Sequence, residues 1–271
     1  MSITRREDIL NLSGKINLSI THFGKGTYNK ANGIISHIPA NRFLIPLDDP
    51  PPPASYINDA KDTFVMEVGK GYFIPIFHKA GVSLNPELIF YTVQFHCELF
   101  SAIDIFNGQN SIYTFPSAPY ISELEKAYSA DNPLKGVLLL HNLIQDFIAA
   151  YPGKLELEER NSLRLLERYE KIWKYLHYCP PGKINVTDLA NLYPGRRETF
   201  TRHFTRDMGL TPKEYLQKYT LRKACELLTG NDLLVKEIAT LLGFSNEYYF
   251  SRFFHKYMSL TPLAYRKSRL F

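Results

Sequence analysis

Arg197, Glu198, Thr201, Arg202 and Arg206 fall within one short stretch, and Asn246, Glu247, Tyr248, Ser251, Arg252 and Lys256 form a second set about fifty residues on. Such side chains at helical spacing suit hydrogen bonding to nucleic-acid bases. An arginine fork matches O6 and N7 of guanine, and a lysine suits phosphate, which positions without specifying. The phenylalanines between them have another task. Phe200 and Phe204, like Phe250 and Phe254, lie four apart on one helical face, so they anchor each helix and leave the polar residues outward.

Both sets belong to an internal repeat. FTRHFTRDMGLTPKEY (200–215) matches FSRFFHKYMSLTPLAY (250–265) at an offset of 50, with Phe200/Phe250, Arg202/Arg252, Phe204/Phe254, Met208/Met258, Leu210/Leu260, Thr211/Thr261, Pro212/Pro262 and Tyr215/Tyr265 coinciding. Upstream the offset is 49, Leu189-Ala190 matching Ile238-Ala239 and Leu192 matching Leu241. Each copy reads as a short helix, a tight turn, a second helix and a Thr-Pro pair opening a third. The first short helix is expected over about 187–193, with Thr187 as its cap and Pro194-Gly195 as the turn. The second is expected over about 235–242, with Gly243-Phe244 as the turn. Two helices so joined form a helix-turn-helix, whose second helix can enter a major groove. Between the copies, PKEYLQKYTLRKACELLTG (212–230) reads as one helix closed by Gly230. About 17 residues at 1.5 Å each span roughly 26 Å, of the order of the ~34 Å between successive turns of DNA. Two blander readings fit the same residues: a protein-interaction module of amphipathic helices, and arginines that are merely solvated.

The 271 residues carry 32 Lys+Arg and 27 Asp+Glu, a net charge of +5, unevenly spread. Residues 180–271 hold 15 Lys+Arg against 8 Asp+Glu, leaving 17 against 19 for 1–179. A basic C-terminal third beside a near-neutral remainder points to a polyanionic partner. Length and a 45% hydrophobic content suit two globular domains. With no apolar run of about 18 residues, and no apolar signal core in MSITRREDIL, a cytoplasmic protein without a membrane partner is expected. Cys97, Cys179 and Cys225 are odd in number, far apart and without a CxxC spacing, so they read as small buried side chains.

IATLLGFSNEYYFSRFFHKYMSLTPLAYR resembles, almost throughout, the C-terminal signature of the AraC/XylS transcription regulators. The Ala, the Gly-Phe-Ser turn, the Phe-Ser-Arg-x-Phe helix and the closing Pro-x-x-Tyr-Arg all correspond. With the first copy and LRKACELL, the resemblance covers residues 184–267. It implies a unit that inserts both recognition helices into adjacent major grooves of double-stranded DNA near a promoter, with RNA polymerase as a further candidate partner. Carried over by position, the base-reading sites fall at Glu198, Thr201 and Arg202 and at Glu247, Tyr248, Ser251 and Arg252, while Arg206, Lys256 and Arg266 suit phosphate. Three positions depart from the pattern. Arg196 stands where a Ser or Thr often caps, Ser259 replaces a glycine that Gly209 keeps, and Thr220 stands where arginine is frequent. If position 259 needs a left-handed backbone, serine adopts it at a cost.

Upstream, INLSITHF (16–23), NGIISHI (32–38), NRFLIPL (41–47), DTFVMEV (62–68), GYFIPIFHK (71–79) and LIFYTVQFHCEL (88–99) are β-branched or aromatic, several alternating in period two. They predict an antiparallel barrel or sandwich. DDPPPPASYIND (48–59) reads as extended or looped. Helical patterns over 133–151 and 160–179 can close the core or pair two subunits, and CPPGK (179–183) marks the expected domain boundary. The resemblance implies a cupin-like β-barrel over about 12–120 that binds an effector, followed by dimerisation helices over about 133–179. The expected fold is therefore α+β: an effector-binding and dimerisation domain, 1–179, and an all-α DNA-binding domain, 180–271, of two helix-turn-helix motifs joined by a linker helix.

His22, His37, His78 and His96 invite a metal reading, but no HxH or HxHx₃₋₄E spacing occurs, and neither metal nor other cofactor is expected. Arg42, Tyr72, His78, Tyr91 and His96 can instead line a pocket for a polar small molecule such as a sugar. Each of them also fits a core position. The chain has no GxSxG, P-loop, GxGxxG after a strand, or HExxH, so no catalytic residue is expected. The competing reading is a metal-dependent cupin enzyme fused to a DNA-binding domain.

Overall fold

The structure, a computed structural model, describes residues 15–27, 34–36, 39–99, 103–153, 161–230 and 232–268. His37 and residues 12–14 of the expected barrel lie outside the described residues. In chain order the strands are β1 (Ile16–Gly26), β2 (Ile34–Ser36), β3 (Asn41–Pro46), β4 (Tyr56–Asn58), β5 (Thr63–Val65), β6 (Lys70–Ile74), β7 (Ala80–Ser83), β8 (Phe90–Leu99), β9 (Ile103–Asp104) and β10 (Tyr113–Pro116). They form two antiparallel sheets, one in the order β1-β8-β3-β6-β10 with β9 on the end of β8, the other in the order β2-β7-β4-β5. Helices α1 (Ala118–Tyr128), α2 (Pro133–Ala150) and α3 (Asn161–Tyr178) follow, then α4 (Val186–Leu192), α5 (Arg197–Met208), α6 (Pro212–Gly230), α7 (Val235–Leu241), α8 (Glu247–Met258) and α9 (Pro262–Ser268).

β3 and β8 are buried along their whole length, so the polar side chains that alternate along β8, Thr92, Gln94, His96 and Glu98, are buried as fully as the apolar ones between them. One face of the larger sheet contributes Leu44, Tyr72, Ile74 and Phe90 to a core shared with Ile57, Ala80 and Val82 of the smaller sheet. On the other face, Phe43, Phe73 and Phe115 surround Phe147 of α2 at ring-centroid distances of 4.6, 5.0 and 5.3 Å. Such aromatic pairs add about 0.5–1.5 kcal/mol each beyond area burial. Asn132 starts α2 by accepting from the Leu134 N–H at 2.8 Å, with Pro133 at a position where the missing donor is harmless.

The chain divides into two compact units. One gathers residues 18–96 with 109–153, and the other takes residues 15–17, Cys97–Leu99, Ile103–Gly108 and the described chain from 161 onward. The division thus does not coincide with the boundary expected at 180. Tyr169, Ile172, Trp173 and Leu176 of α3 pack into one core with Leu189, Tyr193, Phe200, Phe204, Met208, Tyr215 and Tyr219. CPPGK has a defined structure of its own. Pro181–Lys183 forms a 3₁₀ turn, and the Gly182 N–H donates to the Leu242 carbonyl at 2.6 Å. A side chain at Gly182 would place its Cβ 2.7 Å from that oxygen, so the approach requires glycine.

Candidate nucleic-acid interface

Each short helix of the repeat is started by its own side chains. Asn185, rather than Thr187, caps α4: its side chain accepts from the Asp188 N–H at 3.0 Å while Asp188 accepts from the Asn185 N–H at 2.9 Å. Both residues are good cap formers, and Asp188, three residues after Asn185, supplies the reciprocal carboxylate that Thr187, with Ala190 at the corresponding position, lacks. In α7 the Glu237 carboxylate reaches back to the Leu234 N–H at 2.7 Å.

The two longer helices, α5 and α8, bury matching positions. Phe200, Phe204 and Met208 are sunk in the first and Phe250, Phe254 and Met258 in the second. Thr201 and Ser251 are half-buried beside them, and Arg202 and Arg252 are exposed. Arg197 and Glu198 are also exposed, as is Tyr248 at 75%, whereas Glu247 is half-buried. Each helix therefore carries its arginine, Arg202 or Arg252, away from its phenylalanines, with Thr201 or Ser251 at the edge of the buried face.

Asn246 has a definite local role, since its side chain accepts from the N–H groups of Tyr248 and Tyr249 at 3.0 Å each and so caps α8. Arg196 begins α5 without a side-chain cap. The two basic residues of the last turns lean on their neighbours: Arg206 donates through Nε to Asp207 at 2.8 Å, and Lys256 lies 5.4 Å from the centre of the Tyr257 ring. Arg266 turns toward the linker helix and donates from Nε to the Leu228 carbonyl at 3.2 Å.

Asp207 ties α3 to the first copy. It accepts from Arg168 at 2.8 Å and from the Tyr169 hydroxyl at 2.9 Å as well as from Arg206. Burial of the carboxyl opposes its charge, but these three donors outweigh burial and hold it below the ordinary range. The Tyr169 phenol is pushed upward, first by burial and then by Asp207.

The five residues singled out in the N-terminal part do not form one cluster. Arg42 and His96 lie on the face of the larger sheet that looks toward the smaller one, as does Tyr72. The Tyr72 hydroxyl, however, donates to the Val65 carbonyl at 2.7 Å and accepts from the Glu67 N–H at 3.0 Å. Tyr91 is on the opposite face, stacked on Phe23 and bonded to Glu125 of α1. Hydrogen bonds from Tyr91 and Lys25 hold the Glu125 carboxyl low. His78 follows β6 in a loop and pairs with Asp59 at 2.9 Å. Among the described residues, no three His, Cys, Asp or Glu side chains gather as a metal ion requires, and no helix is long and apolar enough to cross a membrane.

Residues 192–268, which span both recognition helices, match the profile of a helix-turn-helix domain family. The C-terminal domain is of the AraC/XylS type. Relatives of this chain include the uncharacterised HTH-type transcriptional regulator YdeC of Bacillus subtilis, 28% identical over 148 residues, 54% of this chain and 48% of that protein. The Msm operon regulatory protein of Streptococcus mutans is 26% identical over 174 residues, 64% of this chain and 59% of its own. The transcriptional activator RhaS of Shigella boydii is 32% identical over 97 residues, 36% and 34% of the two chains. The chain thus spans about half the length of the curated relatives it matches first. The crystal structure of ToxT from Vibrio cholerae shares the fold, with a TM-score of 0.57 at 13% identity over 95% of this chain and 99% of ToxT. Of the departures from the AraC-type pattern, Thr220 is buried with its hydroxyl on the Leu216 carbonyl at 2.7 Å, and Ser259 adopts the left-handed conformation.

Proposed function

We propose that this chain is a sequence-specific, cytoplasmic transcription regulator that binds double-stranded DNA through α5 and α8 and answers to a small molecule held by its N-terminal sheets. The observation that carries the reading is the matched pair of recognition helices, with buried phenylalanines at equal positions and Arg202 and Arg252 exposed at equal positions. Glu198, Thr201, Glu247, Tyr248 and Ser251 complete the base-reading set, while Arg197, Arg206 and Lys256 suit phosphate. Asn246 enters as the cap that orients α8.

The effector belongs to the same proposal. A polar molecule such as a sugar is the class expected from the sequence, and ToxT, which shares the fold, has been crystallised with an unsaturated fatty acid and with a naphthalenyl butenoic acid. A homodimer is supported by Leu134, Val137 and Leu138, exposed together along α2. RNA polymerase is the further partner of a regulator acting near a promoter. The reading assigns no catalytic activity and no metal.

The test is binding of the full chain to a pool of random duplexes, followed by sequencing of the retained fraction at two salt concentrations. Enrichment of a motif with two half-sites about one helical turn apart supports the proposal. Salt-dependent retention without enrichment reduces it to non-specific binding, and no retention favours a protein-interaction module.

A further inference from the structure

The space between the two sheets is not apolar throughout. Along β8, Phe90, Thr92, Gln94 and His96 alternate onto one face. Across the β3–β8 pair, Arg42 lies directly opposite Gln94 and Leu44 opposite Thr92. Leu44 and Phe90 belong to the core between the sheets, so these four polar side chains border that core. All are more than nine-tenths buried, with exposures of 2% for Arg42, 6% for Thr92, 6% for Gln94 and 3% for His96. His22 lies alongside: a Cβ built on Gly24 would meet its Nε2 at 3.2 Å and the Thr92 methyl at 3.9 Å.

Two atoms of this row stand out. Thr92 Oγ1 and Gln94 Nε2 are buried without a hydrogen-bond partner. A buried donor left unmade costs free energy that an apolar residue of the same shape would not. A valine and a leucine would fill the same two positions. Directly across the strand pair from Gln94 stands Arg42, whose guanidinium is permanently charged and only donates.

We propose that Thr92, Gln94 and Arg42 form a head-group subsite between the sheets, and that the ligand it takes is a small molecule bearing an oxyanion, a carboxylate or a phosphate. The inference rests on the effector-binding role proposed for this part of the chain and names the chemical class of that effector. An oxyanion accepts from Gln94 Nε2 and the Thr92 hydroxyl at once, and the positive charge of Arg42 favours it over a neutral hydroxyl. Leu44, Ile74 and Phe90 provide apolar walls for the remainder of the molecule. The subsite shares Arg42 with the sugar-type pocket expected from the sequence but takes Thr92 and Gln94 in place of Tyr72, His78, Tyr91 and His96.

The experiment uses the full chain with glutamine side chains labelled by nitrogen-15, titrated in parallel with sodium phosphate, sodium acetate, glucose 6-phosphate, gluconate and glucose. The expected result is a saturable shift of the Gln94 side-chain amide with anionic compounds and none with glucose. A response confined to phosphate and glucose 6-phosphate assigns a phosphate, and one confined to acetate and gluconate a carboxylate. Thr92→Val and Gln94→Leu, each close in shape to the original, should weaken the thermal stabilisation by the responding compound roughly tenfold in affinity. Two variants are used so that one that fails to fold does not leave the question open. Glucose acting as well as gluconate and glucose 6-phosphate overturns the oxyanion while leaving an effector site in place. No shift with any compound also overturns it and makes the row an interior satisfied by water. DNA retention by the same samples is read separately, so failure of the regulator reading is not confused with failure of the subsite.

Discussion

Gly209 and Ser259, fifty residues apart, hold the same backbone conformation, with φ 65° and ψ 0° at the first and φ 56° and ψ 12° at the second. Each ends a recognition helix by turning left-handed, where a Cβ crowds the following carbonyl. Ser259→Gly should therefore raise stability by about 0.5–1 kcal/mol, and Gly209→Ala should lower it by about 1 kcal/mol or more. Thermal melts of both variants check this. Equal midpoints for Ser259→Gly and the parent would mean that the serine is not strained.

Asp207 makes stability depend on acid. Its folded carboxyl titrates below the ordinary 3.8, because the donors from Arg206, Tyr169 and Arg168 outweigh the burial that would raise it. A depressed folded pKa contributes stability that is fully present above the unfolded value and is lost as pH falls through the folded one. The excess stability of the parent over Asp207→Asn should be constant near neutrality and shrink below about pH 3.8. Urea titrations of the pair across pH 7 to 3 measure it.

A fragment starting at residue 180 should fold poorly. It lacks Tyr169, Ile172, Trp173 and Leu176, all buried in the core around Phe200 and Phe204. Each such side chain is worth about 2–5 kcal/mol. A fragment starting at 154 should melt cooperatively at temperatures where the shorter one does not, and matching melts would show that α3 is dispensable.

On DNA, Arg252→Ala should cost about 1–3 kcal/mol at the preferred site and relax the preference at one base pair. Lys256→Ala should weaken all sequences alike and reduce the salt slope by about one. Competition binding against scrambled duplexes separates the two. An Arg252→Ala protein with unchanged discrimination would remove that residue from the base-reading set.

What the sequence disclosed depended on how local the signal was. The recognition helices were legible because phenylalanines four apart, a fifty-residue repeat and two turn signals agree on them. Six strands were legible from β-branched and aromatic segments, whereas β4 falls in the proline stretch that reads as extended or looped, and β7, β9 and β10 lie outside every such segment. Helix α1 was missed although its Pro119 and the spacing of Leu124 and Ala127 are helical signals. The allegiance of α3 could not be read at all: the stripe of Leu165, Tyr169, Ile172 and Leu176 says that the helix packs, but not against what. In β8, Thr92 and Gln94 were available as polar residues at period two within an apolar strand, yet the aromatic residues beside them drew the reading to Tyr91, which faces the other way.

The carboxylate that anchors α3 occurs in only one copy of the repeat, since the position of Asp207 is held by Tyr257 in the second. The two heads, alike in design, are thus mounted differently: the first is braced by a helix from outside the repeat, while the second receives the Gly182 hydrogen bond at its turn. Their lifetimes against local opening should differ accordingly, with amide protons of α8 exchanging sooner than those of α5. If both helices grip DNA as proposed, contact with a long site should loosen first at the half held by α8 while the half held by α5 stays seated.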